Sequence, residues 1–240
     1  YGVAEIDYAK SRFSDPEQLE PQAALPGWSS YGGNWSSREN MISVAREKGP
    51  KLLWEAAGVL GDGDSLKAEV RIEEGSIAGL LLNVREPKTG ADNWIGYEVS
   101  LYLDEGKLVV GTHNNNWIQR AEAPAALKRG KWHWLEARTT GNRLQVFLDN
   151  RPAPYIDHMM EQPLAAGLAG LRTWGARVHY RNVHVSRGGE KVTWSAPEAG
   201  GRQEDKTLLV HADREATIRQ RALAQLCSLL LNLNEFVYID

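Results

Sequence analysis

The chain is 240 residues long, with 28 Lys and Arg against 31 Asp and Glu, one Cys, three Phe and nine Trp. A formal net charge of −3 excludes a globally basic nucleic-acid binder, and the length buries a core without staples. The lone Cys227 excludes an internal disulfide framework and a Cys-built zinc site, and no apolar run approaches the ~18 residues of a membrane span.

Residues 1–27 are polar, carry Pro16, Pro21 and Pro26, and read as an arm or linker. Tyr1-Gly2-Val3 is no signal peptide and lacks a start Met, which reads as a processed or excised fragment. From about 40 to 186 the apolar period is two. Ala68, Val70 and Ile72 alternate with Lys67, Glu69 and Arg71, and Leu144, Val146 and Leu148 repeat the pattern. Strands are predicted at 40–46, 51–57, 66–73, 76–85, 95–103, 107–113, 131–139, 143–149, 166–173 and 177–186. Glu105-Gly106 and Gly141-Asn142 suit hairpin turns, and the phase change at Arg181-Asn182 suits a bulge. Many short strands separated by turns argue for a mainly β, jelly-roll β-sandwich. A linker over 188–212 follows. Ile218, Ala222, Leu223, Leu226, Leu229, Leu230 and Leu233 then predict an amphipathic α-helix over 213–233 within a 213–240 tail. Its apolar stripe needs a partner, which is its own sandwich, another domain or another subunit.

Gly32-Gly33-Asn34-Trp35-Ser36, Ala68-Glu69-Val70-Arg71-Ile72, Gly79 to Arg85, Gly96-Tyr97-Glu98-Val99, Lys107 to His113, Gly130 to Arg138, Leu144 to Asp149, Gly170 to Trp174 and Tyr180 to Val185 form an ordered pattern. Over about 28–186 this pattern resembles a concanavalin A-like or laminin G-like jelly roll. It is similar to fructan-binding modules and to 3-keto-disaccharide hydrolase domains. The segment Ala222 to Asp240 resembles the end of a planctomycete-type domain that accompanies cytochrome c-like domains in large envelope proteins. These resemblances imply an extracytoplasmic setting, in the periplasm or cell envelope of a bacterium, and other domains or subunits contacted through the C-terminal helix. Within the jelly roll they imply that Arg85, Tyr97, His113 and Trp174 border one sugar groove.

The residues add candidates of their own. Asn114, Asn115 and Asn116 offer donors and acceptors to sugar hydroxyls beside the flat ring of Trp117. Trp94 precedes the strand carrying Tyr97. The ligand-binding set is therefore Arg85, Trp94, Tyr97, His113, Asn115, Trp117 and Trp174, with no catalytic residue assigned. For Tyr97 and Trp174 core packing is the competing reading, and for Trp117 a ring folded back on the core. The Glu-x-Asp-x-x-Glu pair of retaining glucanases is absent. Asp62-Gly63-Asp64 suits either a structural Ca2+ or, preferably, a plain turn. Trp35, Trp54 and Trp132 are expected in the core, and His133, His179 and His184 in solvent.

Three functions remain open. The first is a non-catalytic, lectin-like glycan-binding module of a larger secreted or envelope protein. The second is a structural or interaction domain of an envelope assembly. The third is a hydrolase or lyase acting on 3-keto-glycosides, with His113 and either Glu98 or Glu86 as its working pair.

Overall fold

Alternation builds the strands as the sequence predicts. In the computed structural model, which describes residues 22–162 and 165–196, Ala68, Val70 and Ile72 are buried while Lys67 and Arg71 are half-exposed. The strands are β1 (Gln22–Leu25), β2 (Trp28–Tyr31), β3 (Trp35–Arg38), β4 (Met41–Trp54), β5 (Val59–Leu60), β6 (Ser65–Glu74), β7 (Ile77–Arg85) and β8 (Ile95–Tyr102). They continue with β9 (Lys107–Asn114), β10 (Trp117–Pro124), β11 (His133–Thr140), β12 (Arg143–Leu148), β13 (Ile156–Met159), β14 (Gly167–Arg187) and β15 (Glu190–Thr193). The arm below residue 22, the predicted helix at 213–233 and the segment resembling a planctomycete-type domain lie outside the described residues. Gln22–Leu25, read as part of the arm, instead pairs with β2.

All pairing described is antiparallel, and two long strands divide it into two layers. The first half of β14 lies between β7 and the end of β4, where Arg172 faces Gly79 on one side and Lys51 on the other. Its second half lies between β6 and the start of β4, where Val178 faces Ile72 and Val44. The register slips three times between Arg172 and Val178. Gly49 and Gly175 sit at that corner in the left-handed region, with φ of 77° and 63°. Sheet A is therefore β10-β9-β8-β7-β14-β4-β2-β1, and sheet B is β3-β4-β14-β6-β11-β12-β13. The inner faces supply the main core, including Leu52, Val70, Leu80, Val99, Leu135 and Leu171. A smaller apolar cluster of Tyr31, Leu53, Leu81, Val84 and Trp94 lies on the outer face of sheet A.

The predicted pairs 40–46 with 51–57, and 166–173 with 177–186, are single bent strands because a left-handed glycine turns the backbone without ending its ladder. The hairpins at Gly106 and Gly141 form as expected, and the bulge lies between Arg181 and His184, with Asn182 at φ 50°. Trp35 and Trp54 are buried, and Trp28 stacks on Trp54 at 5.1 Å. Trp132 is not a core residue. It stands half-exposed on the outer face of sheet B with Arg71 and Arg181 over its ring at 4.6 and 4.2 Å. His133, the next residue and the first of β11, faces the other way and is buried rather than solvated. Its Nδ1 lies 3.0 Å from Asp149 and its Nε2 accepts the Lys128 N–H, so both ring nitrogens are satisfied inside. Asp64 accepts from the Gly61 and Gly188 amides and Asp62 from the Gly141 amide, which makes the Asp-Gly-Asp segment a turn that pins strand ends.

Candidate functional site

Strand parity decides which side chains meet. On sheet A, Tyr97, Val99, Leu108, Val110 and Leu171 point inward, so Glu98, Ser100, His113, Arg172 and Lys51 point outward from their middle strands. All five are buried nevertheless. The cover is the β7–β8 loop, which returns over the sheet. Its Gly90 carbonyl accepts a hydrogen bond from Lys51 Nζ at 2.5 Å. Ala91 packs so close to Gly49 that a Cβ there would lie 2.8 Å from the Ala91 Cα. The loop holds its own shape through Lys88 N–H to Asn93 O, Asn93 Nδ2 to Thr89 O and Trp94 Nε1 to Ala91 O.

Beneath the loop lies a charged cluster. Glu98 Oε2 is 3.0 Å from His113 Nε2 and 2.9 Å from Arg172 Nη1, and Glu98 Oε1 accepts the Ser100 hydroxyl at 2.7 Å. Burial opposes charge on Glu98, but Arg172, His113 and Ser100 outweigh it and hold the carboxyl below the usual carboxylate range. Burial also lowers His113, against the pull of Glu98, so the ring is neutral near pH 7. His113 Nε2 also lies 2.9 Å from Arg172 Nη1, which can only donate, so the tautomer of the ring sets whether Nε2 donates to Glu98 or accepts from Arg172. Nδ1 has no hydrogen-bond partner among the described residues and lies 3.3 Å from Asp92 Oδ1. Lys51 is brought down to about 8 by burial and by the neighbouring Arg172. Asp92 is the cluster's open end, with its side chain 41% exposed.

Aromatic rings run across the same face. Trp117 is 4.9 Å from His113, His113 stacks on Trp94 at 4.0 Å, and Arg172 lies 5.7 Å from Trp94 and 5.8 Å from Trp174. The row is covered in the middle and open at its ends. Trp94 is 0% exposed, Trp174 is 37% exposed, and Trp117 is half-exposed. Trp117 lies flat on β9 because residue 111 is glycine: a Cβ there would come within 2.1 Å of the ring.

The seven expected ligand residues thus divide. Trp94, His113, Trp117 and Trp174 share the outer face of sheet A, although Trp94 and His113 are walls rather than accessible platforms. Tyr97 faces the core, and Arg85 opens into a separate cleft at the strand ends, which His113 also lines. Asn115 is exposed at the β9–β10 turn, with φ 56° and its N–H donated to the Trp94 carbonyl. Glu86 is exposed and Glu98 is the partner of His113. Sequence reasoning missed Lys51, Asp92 and Arg172. For Lys51 and Arg172 the signal was charge inside runs that otherwise read as buried strand, Pro50-Lys51-Leu52-Leu53 and Gly170-Leu171-Arg172, while Asp92 in its polar loop gave none.

Comparison with known proteins places this architecture. The model of one protein family, described as a 3-keto-alpha-glucoside-1,2-lyase-like domain, matches residues 16–186. No curated protein matches the chain. The carbohydrate binding module CBM66 from Bacillus subtilis is similar in structure, with a TM-score of 0.58 and 18% identity over 66% of this chain and 94% of that one. A Bacillus subtilis protein of unknown function with a galectin-like fold has a TM-score of 0.55 and 13% identity, over 70% and 92% of the two chains. The VIP36 exoplasmic/lumenal domain in its Ca2+/Man3GlcNAc-bound form has a TM-score of 0.52 and 15% identity, over 75% and 88%. At such identities these likenesses define the fold: a lectin-like jelly-roll sandwich.

Proposed function

The chain belongs to the 3-keto-alpha-glucoside-1,2-lyase-like domain family, and on that footing we propose that it is a non-catalytic carbohydrate-binding module. The ligand lies on the outer face of sheet A. The observation that carries the reading is the ring row whose two ends, Trp117 and Trp174, reach solvent on either side of a rigid loop. Flat rings accept the C–H faces of sugars, and the Asp92 carboxylate and the Asn114–Asn116 amides supply hydroxyl partners between and beside them. The similar solved structures include a carbohydrate binding module and a domain bound to Man3GlcNAc. An extracytoplasmic setting within a larger secreted or envelope protein accords with this role. No helix among the described residues is long and apolar enough to cross a membrane.

Isothermal titration against a glycan panel tests the reading. Binding is expected in the micromolar to millimolar range, about −8 to −4 kcal/mol. Trp117→Ala and Trp174→Ala should each weaken it about ten-fold, on the order of 1.4 kcal/mol, without loss of fold. Absence of any sugar binding, or two silent substitutions, sinks the proposal.

One observation favours turnover as a second reading: the neutral His113, whose Nδ1 has no hydrogen-bond partner among the described residues, contacts an ionised Glu98 through Nε2. In elimination from a 3-keto-glucoside, a base takes the C2 proton next to the ketone. The C–H electrons form the C1–C2 double bond, the C1–O bond breaks, and the departing oxygen takes a proton. The binding reading expects no release of the departing alcohol from such substrates. Release that is abolished by His113→Gln would replace it.

A further inference from the structure

We propose that the cleft at the strand ends binds the carboxylate of an acidic sugar through Arg85. This deepens the preceding reading, since it takes the ligand to be a saccharide, but it rests on different residues. The β7–β8 ladder pairs Leu82 with Tyr97 and resumes only at Arg85 with Ile95, so Asn83 and Val84 form a bulge. Asn83 and Glu86 flank Arg85 in the left-handed region, with φ of 54° and 50°. Such backbone is strained for residues other than glycine, and bulges re-aim side chains. Here the distortion turns Arg85 into a cleft of about 530 Å³.

Arg138, Arg143, Arg172, Arg177 and Arg181 each pair with a carboxylate elsewhere on the sandwich. Arg85 has no such pair among the described residues, and its Nε, like those of Arg71 and Arg172, is buried with no hydrogen-bond partner among them. Desolvated donors left unpaired are unfavourable unless a ligand meets them. Arg120, oriented by its Nε donating to Thr112 Oγ1 at 2.9 Å, lines the same cleft. Among the described residues Glu161 is the one carboxylate on the lining, against these two guanidinium groups. That balance suits a singly charged group, and a guanidinium fork matches a carboxylate with two parallel bonds. Asn114 and Gln119 provide amides for hydroxyls, while Ile95 and the exposed Met159 provide an apolar floor. An adjoining cavity of about 340 Å³ shares Tyr97 and Met160 with the cleft. Asn83 on its wall holds a buried Oδ1 without a partner among the described residues, an acceptor for one more hydroxyl. The combined space fits one or two sugar rings.

The test is titration of the full chain with glucuronic acid against glucose, galacturonic acid against galactose, and glucose 6-phosphate as a second anion. The acids should bind about ten-fold more tightly than their neutral partners. Arg85→Gln should erase that preference, Arg85→Lys should retain part of it, and Arg120→Gln should reduce it less, each with an unchanged thermal midpoint. Trp117→Ala and Trp174→Ala should weaken the neutral sugars and leave the Arg85-dependent binding of the acids in place. Equal binding of acid and neutral sugar, or a preference that survives Arg85→Gln, overturns the inference while leaving neutral-glycan binding on the ring row untouched. Tighter binding of glucose 6-phosphate than of glucuronic acid also overturns it, in favour of a phosphate site. An acid preference that depends on Arg85 while both Trp substitutions are silent keeps this inference and removes the ring-row reading.

Discussion

The outer faces of the two sheets use the same residue types to opposite effect. On sheet B, charges and rings alternate in reach of water. Lys67 pairs with Glu136, Arg71 with Glu73 and Arg177 with Glu74, while Trp132 and Trp134 lie beside the cations. Each pair there is worth only ~0–1 kcal/mol, because water already solvates the separated charges. On sheet A, Glu98, His113, Arg172 and Lys51 are shut beneath a loop, where desolvation is large and pairing offsets only part of it. Apolar residues would fill that space at lower cost. The difference marks sheet A as the face whose composition answers to a task other than stability.

Substitutions can break this contrast. The largest effect is expected from Arg172→Leu, which leaves Glu98 buried without its cation. Chemical denaturation should show a loss of about 3–5 kcal/mol. A loss below 1 kcal/mol would mean that water reaches the cluster. Next is Lys51→Met. The shift of Lys51 from 10.5 to about 8 corresponds to roughly 3 kcal/mol of destabilisation below pH 8. Between 8 and 10.5 the unfolded chain binds the proton and the folded chain does not, so wild-type stability should rise with pH there. In the Met variant that rise should vanish.

His113 gives a smaller effect on the acid side. Its folded value lies below 6.5, so the unfolded state protonates first as pH falls. Stability should decline below about 6.5, and the lowered Glu98 adds a further loss below about 4.5. His113→Gln should shrink the upper stage in pH-resolved melts, and His179 and His184, also lowered by burial, should retain the remainder. Smallest is Arg177→Ala on sheet B, whose pair with Glu74 is about half exposed on both sides, expected to cost under ~1 kcal/mol and to become less costly still in high salt. A larger, salt-insensitive loss would place that face on the same footing as sheet A.

How far these features were legible in the sequence follows from what each depends on. Alternation identified the central strands, since one buried face imposes period two. Besides the short β1, β2, β3, β5 and β15, it missed β10, whose side chains are mostly exposed in Trp117–Pro124, and β13, a four-residue edge strand; the last two are instructive. Neither carries enough buried side chains to set a period. The pairing of His113 with Glu98 was foreseen only as one of two options. Its choice depends on register, which sets Gly96 opposite His113 and leaves Glu98 one outward position along. Trp94 was misread as accessible because nothing local announces that its loop folds back onto the sheet. His133 was misread because a histidine between two tryptophans gives no sign of which face is inward.

The bent strand β14 has a consequence for synthesis. Residues 167–187 pair with β4, β5, β6, β7 and β15, so the strand is a central member of both layers. Its contacts with β4 span more than a hundred positions of chain, the kind of long-range closure that slows folding. As the ribosome extends the chain, hairpins such as β8–β9 and β11–β12 can form early. Neither sheet has its middle until residue 187 has emerged. A nascent chain stalled before residue 167 should therefore hold loose hairpins open to proteases, with protection arriving in one step rather than sheet by sheet.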